Sequence, residues 1–239
     1  MSLICRDAYA KGLLLPPITH ADPAHLHLTG TGLTHLGSAS TRDATHAAVS
    51  KVEEGVTDTM KIFKIGLEGG KPKPGEKGVQ PEWFYKGNGT HSVAPGAELV
   101  SPSFAEDGGE ELEMAGIYVI SDKGAPFRIG FAVANEFSGH VTERMNYLYL
   151  AHSKLRPASF GPEIRVGEAP GDIRGASRII QDGKVVWEKP FLSGGTNMSH
   201  TFANLEYNHF KYGIFREPGD VHVHTFGTAT LSRCSARRS

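Results

Sequence analysis

The sequence predicts a β-rich α+β fold on three observations. Glycine and proline are frequent and dispersed, short apolar runs are bounded by turn residues, and helical periodicity is confined to a few segments. The 29 glycines and 14 prolines are spread along 239 residues and not gathered in a linker, which suits many short strands joined by tight turns. Residues 24–38 alternate apolar and polar side chains as a strand entering a turn, and 43–54 read as a short helix. Gly66, Gly69, Gly70, Pro72, Pro74, Gly75 and Gly78 interrupt 58–81 so densely that a loop or lid without a helix is expected there. The runs at 116–120, 128–134 and 185–187 read as strands, with hairpin turns at 122–124 and 181–183. Phe137, Val141, Met145 and Leu148 fall at helical spacing. So do Phe202, Leu205, His209 and Tyr212, after a cap at Asn197 or Ser199. A strand over 221–232 closes the pattern.

Charge and hydropathy exclude several function classes. Lysine and arginine total 25 against 26 acidic residues, a net charge of -1, so the cationic excess of a nucleic-acid partner is missing. No apolar run approaches the ~20 residues of a bilayer span. Leu13-Leu14-Leu15 is too short for a signal core. No membrane partner and a cytoplasmic location are therefore expected. Cys5 and Cys234 sit at opposite ends, which argues against a disulfide framework and a thiolate metal site. The twelve histidines are scattered, as polar surface and satisfied core groups usually are.

The sharpest chemical signal is Glu-Leu-Glu-Met-Ala (111–115) leading into an apolar strand. Residues two apart on a strand share a face at roughly 6.6 Å, so Glu111 and Glu113 point the same way at the mouth of that strand. Their repulsion has three resolutions: both are solvated, one is protonated, or a hard cation takes both. Glu136, at the end of the next strand in Asn-Glu-Phe-Ser, is either a helix-start residue or a third acid of the same site. Three carboxylates without cysteine call for a hard ion, Mg²⁺ or Mn²⁺, in preference to zinc.

These residues carry a resemblance. Glu-Leu-Glu-Met-Ala (111–115), Gly-Phe-x-x-x-Asn-Glu-Phe-Ser (130–138), Ser-Phe-Gly-Pro (159–162), Pro-Gly-Asp-Val (218–221) and Gly-Thr (227–228) follow the order and spacing of the fumarylacetoacetate hydrolase superfamily. The segments 79–87, 146–156 and 219–232 look like its bacterial sugar-acid branch, linked with 2-keto-3-deoxy-arabonate dehydration. The resemblance implies a mixed β-roll of the fumarylacetoacetase C-terminal type with peripheral helices, a homodimer, and Mg²⁺ (or Mn²⁺) held by Glu111, Glu113 and Glu136. The third acid is usually Asp in that superfamily. By the same resemblance Lys154 is the active-site lysine, with Lys86 a weaker competitor. In that resemblance Glu143 falls near a Gln position, His140 at an Arg position, and Thr228 in the turn that touches the substrate carboxylate.

One departure bears on the reaction. Where superfamily hydrolases place a His that orients the attacking water, this chain has Ser38, and His35 lies three residues early. A missing base forfeits a contribution of about 10²–10⁴ in rate. Elimination is therefore favoured over hydrolysis: a metal-dependent dehydratase acting on a small-molecule 2-keto-3-deoxy sugar acid, with Lys154 or Glu143 moving the proton. Arg42 and Asp43 either close over the sugar hydroxyls or form a surface ion pair. The alternatives are a C-C hydrolase of acylpyruvates and an inactive sugar-acid binding remnant. His222 and His224 share a strand face, but the later Glu and second His of a cupin-like metal site do not follow, so packing or solvent-facing roles are expected. The division expected is a partial N-terminal segment (1–23), a catalytic domain (24–232) and an atypical tail without strand pattern (233–239). The strand 221–232 is expected to lack neighbours on its far side.

Overall fold

The computed structural model describes residues 3–37, 57–232 and 234–235. Among these, seven strands form one mixed sheet in the order β2-β1-β10-β5-β6-β7-β3. They are β1 (Leu26–Gly32), β2 (Glu82–Asn88), β3 (Ser92–Val93), β5 (Leu112–Ile120), β6 (Pro126–Glu136), β7 (Ala158–Phe160) and β10 (Val221–Thr225). Two small ribbons accompany it: β4 (Asp107–Gly108) with β11 (Cys234–Ser235), and β8 (Ile173–Gln181) with β9 (Lys184–Ser193). Helices α1 (Leu3–Ala10), α2 (Asp58–Gly69), α3 (His140–Met145), α4 (Leu150–Lys154) and α5 (Phe202–Phe210) lie outside the sheet strands. This is the β-rich α+β roll with peripheral helices that the sequence predicts.

The apolar runs become the middle of the sheet because they can be buried on both faces. On one face Leu26, Leu28, Ala115, Ile117, Ala132, Ala134, Val221 and Val223 form a core. On the other, Met114, Tyr118, Phe131 and Phe226 pack with Leu205 and Phe210 of α5. At ~1.5–3 kcal/mol per buried large side chain, these two layers dominate the stability of the sheet.

Several expectations need correction. Residues 58–69 are helical despite their glycines: Thr57 caps the helix by accepting from Met60 N at 3.2 Å, and Asp58 opens its first turn. Gly66 is there for packing, since a Cβ would come within 2.6 Å of His200 Nε2. Only the stretch beyond Gly70 is loop. The predicted helix around 137–148 splits into α3, a 3₁₀ turn (Tyr147–Tyr149) and α4. The cap of α5 is Thr201, whose Oγ1 accepts from Asn204 N at 3.1 Å, and not Asn197 or Ser199.

The last long strand is shorter and better covered than expected. It ends at Thr225, because Gly227 turns the chain at φ 84°. Far from being an open edge, it pairs with β1 in parallel (Leu26 opposite Val221) and with β5 antiparallel (Val119 opposite Val221). The tail also pairs, Cys234 standing opposite Gly108. The expected helix at 43–54 lies outside the described residues.

Candidate metal and acid-base site

The hairpin β5–β6 assembles the three carboxylates. Leu112 faces Asn135 and Glu113 faces Ala134, and Glu136 N donates to Glu111 O at 2.8 Å. That register puts Glu136 beside Glu111 across the strands, and the two-residue repeat puts Glu113 on the same face. Glu111, Glu113 and Glu136 are all buried, at 4%, 1% and 0% exposure. One carboxylate oxygen from each lies within 4.8 Å of the other two.

Two lysines answer them. Lys154, at the end of α4, donates to Glu111 Oε1 at 2.8 Å, Glu136 Oε2 at 2.5 Å and Ser138 Oγ at 2.9 Å. Lys86, from β2, donates to Glu136 Oε1 at 2.5 Å and to the carbonyls of Phe137 and Lys154. Ser138 in turn gives its hydroxyl proton to the Glu136 carboxylate. His140 Nε2 lies 2.9 Å from Glu111 Oε1. Gly109 leaves room for that ring, since a Cβ there would come within 2.1 Å of His140 Cε1. The Gly227 amide donates to Glu113 Oε2 at 2.8 Å, which seats the buried Thr228 next to the cluster along the chain.

Three carboxyl groups face two ammoniums in a dry site, so Glu113 has no cation of its own to pair with. Burial works against the charge of Glu111, but Lys154 and His140 overcome it and hold the group well below the usual carboxylate range. Glu113 goes the other way: burial first, then the charges of Glu136 and Glu111, push it well above that range. Burial pulls Lys86 down against the opposing pull of Glu136. A hard divalent cation fits this donor set, because the oxygens converge and its charge would offset the burial and repulsion that push Glu113 up.

Of the residues singled out in the sequence, the structure brings together Glu111, Glu113, Glu136, Lys154 and His140. Glu143 is buried one turn beyond His140 on α3. Ser38, Arg42 and Asp43 lie outside the described residues. Lys86 reaches Glu136 as closely as Lys154 does, and Ser138, not singled out in the sequence, joins them; its place two residues after Glu136 was the available signal. His35 is buried between Thr34 Oγ1 (3.0 Å) and Ser193 Oγ (2.9 Å), and burial pushes it down to about 4. A cleft of about 860 Å³ lies elsewhere, lined by Glu110, Leu112, Asn135 and Ile180. It lacks the three carboxylates, so convergent chemistry and not cavity size locates the site.

No family model matches the sequence, and no curated protein matches it. Solved structures do match in three dimensions. An apo 2-keto-3-deoxy-D-arabinonate dehydratase superimposes with TM-score 0.63 at 21% identity over 90% of this chain. The chain spans 63% of that protein's length. The same enzyme complexed with magnesium and 2,5-dioxopentanoate gives TM-score 0.62 at 20% identity, over 90% of this chain and 70% of the other. A 5-carboxymethyl-2-hydroxymuconate delta-isomerase from Mycobacterium smegmatis gives 0.53 at 16%, with 90% and 70% covered. At these identities the likeness concerns architecture, and the chain has the mixed β-roll that its resemblance to the fumarylacetoacetate hydrolase superfamily implied.

Proposed function

We propose that this chain is a divalent-metal-dependent lyase that removes water from a 2-keto-3-deoxy sugar acid. The observation that supports this reading best is the buried cluster of Glu111, Glu113 and Glu136 with Lys154 against it. It sits on a fold shared with a dehydratase whose structure contains magnesium and 2,5-dioxopentanoate.

Glu111, Glu113 and Glu136 would hold the ion, Mg²⁺ or Mn²⁺. Once bound, such an ion would stabilise the negative charge that develops at the keto oxygen when C3 is deprotonated. Lys154, which lies against Glu111 and Glu136, would take the C3 proton. Glu143 supplies the proton with which the C4 hydroxyl departs as water, so one C-H and one C-O bond break and a C-C double bond forms. Thr228 anchors the substrate carboxylate. Arg42 and Asp43, which lie outside the described residues, are assigned to the sugar hydroxyls. A free small-molecule substrate and a homodimeric assembly complete the reading.

The test is a mass and ultraviolet assay on a panel of 2-keto-3-deoxy acids with and without Mg²⁺. Loss of one water that requires the metal, and that Glu113→Gln abolishes, is the expected result. Faster cleavage of an acylpyruvate would replace this reading with hydrolysis.

A further inference from the structure

The opposite face of the same sheet carries a second cluster of metal-binding groups. Because β1 and β10 run parallel, His27 stands directly opposite His222, and the two rings stack at 4.8 Å. Asp220, the residue before β10, is 1% exposed. Its carboxylate is shared between His27 Nε2 at 3.2 Å and His25 Nδ1 at 2.7 Å. One ligand atom each from His27, Asp220 and His222 lies within 4.8 Å of the other two.

His222 supplies the decisive observation. The ring is fully buried, yet its Nε2 makes no hydrogen bond. The Phe215 carbonyl is near the ring but outside hydrogen-bonding geometry. An unsatisfied buried polar atom costs about 1–3 kcal/mol, and a fold that retains one beside a carboxylate and a second imidazole is offering it to something.

We propose that His27, Asp220 and His222 form a second metal site that takes a borderline divalent ion such as Zn²⁺. Two imidazoles and one carboxylate suit zinc and its neighbours better than Mg²⁺, which favours oxygen. The groups behind the ligands fit as well. Asp220 is oriented by His25 through its other oxygen, and His222 Nδ1 lies 3.1 Å from His209 Nε2, whose Nδ1 accepts from Trp83 Nε1 at 3.2 Å. A cupin-like pattern along one strand does not contain this set, because its members come from two strands and a turn. His224 points its Nδ1 at Thr29 Oγ1, at 2.8 Å, and takes no part.

The hydrogen-bond chain gives the site a signature. Trp83 can only donate, so neutral His209 carries its proton on Nε2 and gives it to His222 Nδ1; the proton of His222 then sits on Nε2. A metal on Nε2 moves that proton to Nδ1, reverses the bond to His209 and turns His209 Nδ1 into a donor facing Trp83. Metal uptake must therefore disturb the Trp83 indole.

The experiment uses the full chain carrying Glu113→Gln, which disables the carboxylate site, and Trp187→Phe, which leaves Trp83 as the sole indole. Co²⁺ is the spectroscopic probe and Zn²⁺ the competitor. One equivalent of Co²⁺ with the visible bands of a nitrogen-ligated ion, displaced by Zn²⁺ and accompanied by a change in Trp83 emission, is expected. His27→Gln and Asp220→Asn should each abolish the bands. His25→Ala, which touches only the exposed outer partner, should weaken affinity by roughly 10–100-fold. Unaltered uptake in these three variants, uptake without any response from Trp83, or no uptake at all overturns the proposal. Should circular dichroism show that one buried variant misfolds, the exposed His25→Ala variant still decides.

Discussion

Strands β1, β2, β5 and β10 bury ionisable groups on both faces, and they do so in opposite ways. On one face Lys86 and Lys154 stay within 2.5–2.8 Å of Glu111 and Glu136, so charge is retained and compensated. On the other face the imidazoles of His209, His222 and His224 stack against one another and against Phe210 and Phe215. Burial pushes His222 down to about 2 and His224 to about 3, so these rings stay neutral. The same backbone thus offers charged oxygen donors on one side and uncharged nitrogen donors on the other. Desolvation forces the choice: a carboxylate can keep its charge if an ammonium comes with it, whereas clustered imidazoles without enough acids must lose theirs.

The strongest way to break this contrast is to remove one partner from the charged face. Lys154→Met leaves Glu111 and Glu136 short of a cation in a dry site, and a broken buried pair costs about 3–5 kcal/mol. Denaturant unfolding should show a loss of that size, with Mg²⁺ recovering part of it. If the variant is as stable as the parent, the lysine is not balancing the carboxylates.

Acid should act on the imidazole face and its neighbours. His35 and His200 are each pushed down to about 4 by burial, and His224 to about 3. The unfolded chain therefore takes up protons below about 6.5 that the folded chain refuses. The stabilisation is complete above that pH and falls away as pH drops from about 6.5 toward 4. Each such group contributes a slope of ~1.4 kcal/mol per pH unit. Melting temperature against pH should fall steeply over this window, and His200→Gln should reduce the slope by one proton. A flat profile down to pH 4 would mean these rings already carry protons.

The β8–β9 ribbon belongs to neither face and sharpens the comparison by contrast. Arg178 and Glu188 pair at 2.9 Å with both side chains about half exposed, where water and salt screen the attraction. Arg178→Ala should leave the melting temperature unchanged within error. A measurable drop would place the ribbon against a surface that is not solvent.

What the sequence makes legible here follows from the range of the interaction. The runs at 116–120 and 128–134, with their turn at 122–124, are local, and so is the two-residue spacing of Glu111 and Glu113. Glu136 could be linked to them because a tight hairpin brings it back. Lys86 enters from a strand 50 residues upstream, and nothing in its neighbourhood marks it as a partner of Glu136. Helix α2 was hidden for the opposite reason: Gly66 and Gly69 look like breakers, but they serve close contacts with His200 and Val79. The pairing of His27 with His222 depends on a parallel register across most of the chain, beyond any local pattern.

The position of β10 has a consequence for how the chain is made. Val221–Thr225 separates β1 from β5, so β1 gains its parallel neighbour only when a residue 195 positions later has emerged. At the ~5–20 residues per second of synthesis, that is a wait of roughly 10–40 s. Once β2 has emerged, β1 can pair with it on one side while its other edge, carrying Leu26 and Leu28, has nothing to bond to. An open apolar strand edge is the usual starting point for association between nascent chains. The yield of folded protein should therefore depend on the speed of translation and on chaperones that occupy that edge, even where the finished sheet is stable.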